Sequence, residues 1–393
     1  EVAYLSRLIR VRGSQTIIID TGILDGPLVE PDVMREEVAL AGGRSLAELI
    51  AAGNKGQAIA TMIAGSRAIL SRLCAEGRVV AAIGVGGGQG TAIGAAAMQV
   101  LPLGLPKLMV STIASGQNRF GPYVDTTDMC LMHSVADIAG INLVTRQIFA
   151  NAAAAITAMA EVAAVPARGT RPAIGATMLG LTTACVTGAR EHLERQGYEV
   201  VTFHPNGAGG RCMERLLDEG LLQAALDVSL QELTGYICHG LFDAGEDRLV
   251  AAGRRGLPQV VVPGGTDYIV SGPAESLPPE LKRRPYIVHN PNITLVRTTA
   301  DEMARVGRLL AERINAANGA AAVLVPTRGL SEANRPGQAL YDPDADAALF
   351  EALQTGLSAR VEFQTIAAHI NDAAFARAAA EKMHELIEVN GTQ

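Results

Sequence analysis

The glycine cluster at residues 84–91, Gly-Val-Gly-Gly-Gly-Gln-Gly-Thr, has the composition of a phosphate-binding turn. It follows an apolar run and precedes a helical pattern that is predicted to begin at Thr91. Free amides at a helix N-terminus attract anions, and glycine lets a phosphate approach the backbone closely. The spacing fits neither GxGxxG nor GxxxxGK[ST]. We predict an anion site here; the alternative is a tight turn in which glycine serves packing alone. The predicted phosphate ligands are Gly86, Gly87, Gly88, Gln89, Gly90 and Thr91.

Hydroxyl groups follow the next apolar run, residues 107–112. Ligands of open α/β sheets bind at the carboxyl ends of the strands, where such hydroxyls can bond phosphate or ribose oxygens. The alternative is a turn that only ends the strand. The candidates are Ser111, Thr112, Ser115 and Gly116.

A second glycine cluster lies at residues 204–211, between a predicted strand and a predicted helix. Its amides would form another anion cradle, and Arg211 could pair with a phosphate. The alternative is a packing turn with a solvent-facing arginine. The candidates are Gly207, Gly209, Gly210 and Arg211.

The sequence gives weaker evidence for acid–base residues than for the glycine-rich turns. Asp267 follows the apolar run at 259–264, and His289 precedes the run at 293–298. Arg328, His369 and Asn371 likewise lie near predicted strand ends, where structural turns are the more frequent explanation. The sequence predicts no metal site, because no metal-ligand spacing is present.

The elements that must position these residues alternate along the chain. Short Val- and Ile-rich runs are separated by helical patterns, which is typical of a parallel, doubly wound sheet. A Pro-bracketed polar segment at 166–172 predicts two domains, residues 1–168 and 169–393. Residues 1–10 read as a helix that leads directly into a strand at 16–20, so we expect a first strand to be missing. The other predicted strands are residues 79–85, 107–112, 173–178, 199–204, 259–264, 293–298, 321–326 and 361–366.

Composition limits the class of protein. The 393 residues carry 33 Lys and Arg against 40 Asp and Glu, a formal charge of −7, with 48% hydrophobic residues. An acidic chain without basic runs argues against nucleic acid and anionic membranes as partners. Five scattered cysteines without a CxxC spacing predict a reduced, cytoplasmic protein.

Long blocks of the sequence resemble a known family. The blocks include residues 84–116, 137–142, 203–220, 289–299, 325–331 and 368–376. They are similar to the N-terminal domain of the tomato mosaic virus resistance protein and its bacterial homologues, an uncharacterised protein family. The resemblance implies two Rossmann-like domains, ATP binding and self-association as a homodimer or larger homo-oligomer.

These observations favour a nucleotide-binding enzyme of unknown reaction. We expect ATP, with or without Mg²⁺, in a cleft between the domains, and a small molecule of unknown identity as second substrate. Asp267 and His289 are the expected acid–base residues. Two alternatives stay open: a sugar-nucleotide-dependent transferase of the two-Rossmann-domain type, and a regulatory protein that senses a nucleotide without turning it over.

Overall fold

The computed structural model describes residues 1–115, 121–162 and 169–391. The chain divides into two compact units, Glu1–Ala167 (unit 1) and Arg168–Gln393 (unit 2). The predicted boundary residue, Arg168, lies outside the described residues.

Unit 1 contains a parallel sheet of three strands in the order β1-β2-β3. The strands are β1 (Ala82–Gly86), β2 (Lys107–Ser111) and β3 (Met129–His133). The helices are α1 (Val2–Val11), α2 (Arg35–Ala41), α3 (Leu46–Ala52), α4 (Lys55–Ala75), α5 (Gly88–Met98), α6 (Gly121–Val124) and α7 (Leu143–Glu161).

Strand β2 is buried on both faces and lies at the centre of unit 1. Leu108 and Val110 pack against Phe149 and Ile156 of α7. Met109 points to the other face, where it meets Met98 of α5. The alternation of β2 side chains therefore fixes one helix on each face of the sheet.

The predicted strand at residues 16–20 does not form a ladder, which corrects the sequence interpretation. Only Ile19 pairs, in an isolated bridge with Val33. The Ile18 amide donates to Asp32 Oδ2 at 2.7 Å, and Asp20 pairs with Arg35 at 2.6 Å. The segment is extended because its isoleucines pack into the core, but no neighbouring strand among the described residues supplies ladder partners.

One helix among the described residues, α4, is long and apolar enough to cross a membrane by length and composition alone. Met62, Ile69 and Leu73 of α4 are buried in the core of unit 1 beside Val38 and Ile93. Packing of a core helix thus accounts for its apolar character.

Unit 2 is built on a parallel sheet of six strands, in the order β12-β11-β7-β6-β4-β5. Its strands are β4 (Ala173–Thr177), β5 (Glu199–Phe203), β6 (Ala224–Ser229), β7 (Gln259–Gly264), β8 (Tyr268–Ser271), β9 (Tyr286–Asn290), β10 (Ile293–Arg297), β11 (Ala321–Pro326) and β12 (Glu362–Ile366). The helices are α8 (Thr183–Arg195), α9 (Ala208–Asp218), α10 (Gln231–Cys238), α11 (Ala251–Arg254), α12 (Pro279–Lys282), α13 (Ala300–Asn315), α14 (Pro343–Gly356) and α15 (Ala373–Gly391). Short 3₁₀ helices lie at Gly180–Thr182 and Ala274–Ser276.

Helices cover both faces of this sheet. Phe375 and Met383 of α15 pack on one face beside Val186 of α8. Leu310 of α13 and Leu349 of α14 pack on the other. The prediction of an α/β chain with parallel sheets is therefore confirmed.

The predicted strand at 293–298 was wrongly placed in the parallel sheet. It forms β10, which is the centre of a separate antiparallel sheet in the order β8-β10-β9. Only Pro291 and Asn292 connect β9 to β10. A connection of two residues can join antiparallel strands, whereas a parallel pair needs a long crossover.

A buried charge cluster fastens the middle of unit 2. The Arg248 guanidinium, 0% exposed, contacts three carboxylates: Glu232 Oε2 at 2.6 Å, Asp227 Oδ1 at 2.7 Å and Glu214 Oε1 at 3.1 Å. Glu214 also accepts from the amides of Leu249 and Ala251. Burial raises the pKa of Glu214, and the Arg248 charge opposes that rise. One cation thereby connects β6, α9 and α10.

We expect Arg248→Met to destabilise the protein by about 3 kcal/mol or more, because it leaves three carboxylates buried without a counter-charge. The measurement is urea-induced unfolding followed by circular dichroism. Arg254→Met is the matched control, since Arg254 is paired with Asp218 at the surface, and it should cost less than about 1 kcal/mol. Equal, small losses in both variants would contradict the role given to the cluster.

Candidate functional site

The turn between β1 and α5 is shaped by Gly86, which admits no side chain. A Cβ on Gly86 would lie 2.6 Å from Gly90 Cα, so the strand end and the first helical turn pack backbone against backbone. The helix begins at Gly88, three residues before the predicted start at Thr91. The glycines at 88 and 90 are therefore helical, and the cluster is the start of α5.

Gly87 and Gly88 differ from Gly86, because space is open above them. A Cβ on Gly88 would meet no atom within 4 Å, and one on Gly87 would lie 3.7 Å from Thr112 Oγ1. Neither residue has a positive φ. Gly88 and Gln89 are exposed, and no described side chain caps the first turn of α5.

The predicted hydroxyl ligands divide into two groups. Thr91 and Ser111 are buried and bond to each other at 2.6 Å, while Thr91 Oγ1 also reaches the Gly86 carbonyl. These two hydroxyls fasten α5 to the end of β2. Thr112 and Ser115 are half-buried beyond the strand end, and Gly116 lies outside the described residues.

The second glycine cluster already has a protein acceptor. Glu232 Oε1 accepts from the amides of Gly207 at 2.7 Å and Gly210 at 3.2 Å. A Cβ on Gly210 would lie 1.9 Å from Glu232 Oε2, and one on Gly209 would lie 1.8 Å from the His204 carbonyl oxygen. A buried carboxylate thus occupies the position where the sequence suggested a phosphate.

Two conformational details complete this second turn. Gly207 has φ +95°, which favours glycine. The side chain of Arg211 is exposed, and its Nε donates to the Gly207 carbonyl at 2.9 Å. Arg211 therefore bonds the turn itself at one of its donors.

Asp267 and His289 lie far apart within unit 2. Asp267 directly precedes β8, whose Tyr268 pairs with Arg297 at one end of β10. His289 is exposed on β9, whose Asn290 pairs with Ile293 at the other end. The two ends of β10 are four positions apart, or roughly 13 Å at the usual rise of a strand. The two side chains do not form an acid–base pair.

Asp267 itself is unusual. Its carboxyl group is 0% exposed, and Oδ2 accepts from Ser331 Oγ at 2.7 Å. Burial raises its pKa from 3.8 to about 6, against the opposing effect of Arg297 and with a contribution from Asp346. A group with this pKa can exchange a proton near neutral pH.

Two polar side chains that the sequence analysis missed pair with the buried Arg248. Asp227 lies inside the apolar run of β6, and Glu232 lies on α10. A carboxylate inside an apolar strand is a usable signal, because burial of a charge requires a partner. The described residues contain no group of three His, Cys, Asp or Glu suited to a metal ion.

Replacing Asp267 with Asn should alter how stability depends on pH. The pKa of Asp267 is higher in the folded chain, so its protonated form stabilises folding below about pH 4, and that stability is lost as pH rises through 6. Between about pH 5 and pH 8 the wild type should lose about 1.4 kcal/mol more than Asp267→Asn. Urea unfolding at both pH values measures this difference. Parallel pH profiles for the two proteins would contradict it.

The comparisons with known proteins cover both units. The sequence models of the Uncharacterised protein family (UPF0261) match residues 1–165 with the N-terminal domain and residues 171–387 with the C-terminal domain. A UPF0261 protein of Clostridium tetani is 39% identical over 389 residues, covering 99% of this chain and 96% of its own. One of Rhizobium meliloti is 42% identical over 383 residues, covering 96% and 94%.

A plant relative shares part of its length. The tomato ToMV resistance protein Tm-1(GCR237) is 35% identical over 342 residues, which are 84% of this chain and 45% of the plant protein. With both family domains matched in order along the chain, this protein belongs to the Uncharacterised protein family (UPF0261).

Proposed function

We propose that the protein binds ATP and that the turn between β1 and α5 holds its phosphates. The observation that carries the proposal is that, in the described part of the chain, space is open above Gly87 and Gly88 and no side chain caps the start of α5. The first turn of a helix offers free amides and the positive end of the dipole, both of which attract phosphate. The resemblance of residues 84–116 to an ATP-binding domain supports the same ligand.

The neighbouring groups support this turn as the phosphate site. Gly86 and Gly90 fix the backbone of the turn through their close approach, and the Thr91–Ser111 bond holds α5 against β2. Thr112 follows β2 directly, and its hydroxyl lies near the space above Gly87. We assign Thr112 to a ligand contact, and Thr91 and Ser111 to positioning of the turn.

The second glycine turn has a smaller part in the proposal. Glu232 already accepts from two of its amides, and a phosphate there would face a buried carboxylate. We therefore place the triphosphate at unit 1. We also propose that both units are Rossmann-like, because each contains parallel strands joined through helices.

The decisive variant is Gly88→Ala, whose methyl group would enter the space assigned to phosphate. We expect ATP affinity to fall by more than about tenfold, or about 1.4 kcal/mol, with little change in melting temperature. Isothermal titration calorimetry with ATP, with and without MgCl₂, measures the affinity.

Matched controls separate binding from folding. Gly56→Ala makes the same change in the first turn of α4, where the new Cβ would be in ordinary contact at 3.6 Å, and should leave ATP affinity unchanged. Gly86→Ala should lower the melting temperature, because its Cβ collides with Gly90. Failure of the wild type to bind ATP, or equal affinity in Gly88→Ala, would refute the proposal. Tighter binding of UDP-glucose than of ATP would favour a transferase instead.

A further inference from the structure

The strand order of unit 2 identifies one point where a ligand crevice should form. Strand β4 pairs with β5 on one side and with β6 on the other, so the order of the chain reverses between β4 and β6. In open α/β sheets, ligands bind outside the carboxyl ends of the strands at such a point. Here the strand ends are Thr177 and Ser229, which hydrogen bond to each other.

Three buried polar groups that have no hydrogen-bond partner among the described residues lie one strand away, at the carboxyl end of β7. Gln231 follows β6 and is 0% exposed, yet neither atom of its side-chain amide has a partner. Tyr268 Oη and Asp267 Oδ1 are also buried and unpartnered. A Cβ built on Gly265, at the end of β7, would lie 3.3 Å from Tyr268 Oη and 3.5 Å from Gln231 Cβ. The groups therefore surround the carboxyl end of β7.

Buried polar atoms without hydrogen bonds destabilise a folded protein unless a bound molecule supplies the missing partners. Buried polar atoms are nearly always hydrogen bonded, and each exception requires an explanation. Gln259 is a useful contrast: it is equally buried and unpartnered, but it begins β7 at the opposite edge of the sheet. A lone unpartnered glutamine is thus no evidence for a site. Three such residues at the carboxyl edge, beside the reversal of strand order, are stronger evidence.

The segment between β11 and α14, residues 327–342, covers this part of the sheet. The Leu330 carbonyl accepts from the Gly265 amide at 2.9 Å, and Ser331 Oγ donates to Asp267. The Glu332 amide reaches the Leu181 carbonyl, just beyond β4, at 2.9 Å. A connection of this length without regular structure commonly closes over a ligand site.

We propose that unit 2 binds a small, uncharged, polyhydroxylated molecule, a sugar or sugar alcohol, beneath the segment 327–342. A hydroxyl both donates and accepts, so one ligand class can donate to Asp267 Oδ1, accept from Tyr268 Oη and do either with Gln231. The Asp267 carboxylate repels anions, which argues against phosphates and sugar acids at the same position, although Arg297 partly offsets its charge. The inference does not rest on ATP binding, because its residues lie in unit 2 and the phosphate turn lies in unit 1.

Two nearly isosteric variants test the proposal. Tyr268→Phe and Gln231→Met remove the unpartnered atoms and keep the volume, so the melting temperature of the free protein should stay equal or rise. The probes are D-glucose, D-galactose, D-xylose, D-ribose, xylitol and sorbitol, used in calorimetry and thermal-shift measurements. At least one should bind the wild type, with its Kd raised about tenfold or more in each variant.

Gln259→Met is the matched control and should leave that Kd unchanged. A second readout is trypsin cleavage after Arg328, which lies in the covering segment and is exposed. The bound sugar should slow this cleavage in the wild type but not in Tyr268→Phe. The proposal is overturned if no probe binds the wild type, if both site variants retain its Kd, or if Gln259→Met weakens binding as much as they do.

Discussion

The architecture of unit 2 depends on one constraint: a charge removed from water must be paired. Arg248 supplies a positive charge that contacts the carboxylates of Glu214, Asp227 and Glu232. These carboxylates come from α9, β6 and α10, so satisfying the guanidinium fixes the relative positions of all three elements. Their remaining oxygens then bond backbone amides at the start of α9 and of α11. Helix starts and strand packing are thus linked through a single side chain.

The two glycine-rich turns show how similar sequences lead to different surroundings. Both connect a parallel strand to a helix, and both use glycine where backbone meets backbone. In unit 1 the start of the helix faces open space at Gly88. In unit 2 the corresponding amides face Glu232. The difference is decided by a residue on another helix, well outside either turn.

Contacts between residues that are remote in sequence explain what the sequence could and could not predict. Strand periodicity located β4, β7 and β11 closely, because a strand buried on both faces is a continuous apolar run. It missed β6, since Asp227 interrupts the run, and its partner Arg248 is remote in sequence. Glycine is a poor helix former, so the start of α5 was placed too late. Residues at the glycine turns were predictable from local composition. Ser331 bonds Asp267, and Gln231 lies near Tyr268, only because the fold brings distant segments together.

Glu232, the acceptor at the start of α9, also determines whether a dissolved anion can bind the amides there. Glu232 belongs to the same folded chain, so its effective concentration at the amides of Gly207 and Gly210 is far above that of any dissolved metabolite. A phosphate arriving from solution would have to displace this tethered carboxylate and would be repelled by its negative charge. Glu232 therefore blocks anion binding at the glycine turn of unit 2. Under the proposed function, phosphate compounds bind at the turn of unit 1 because no described carboxylate accepts from the amides there.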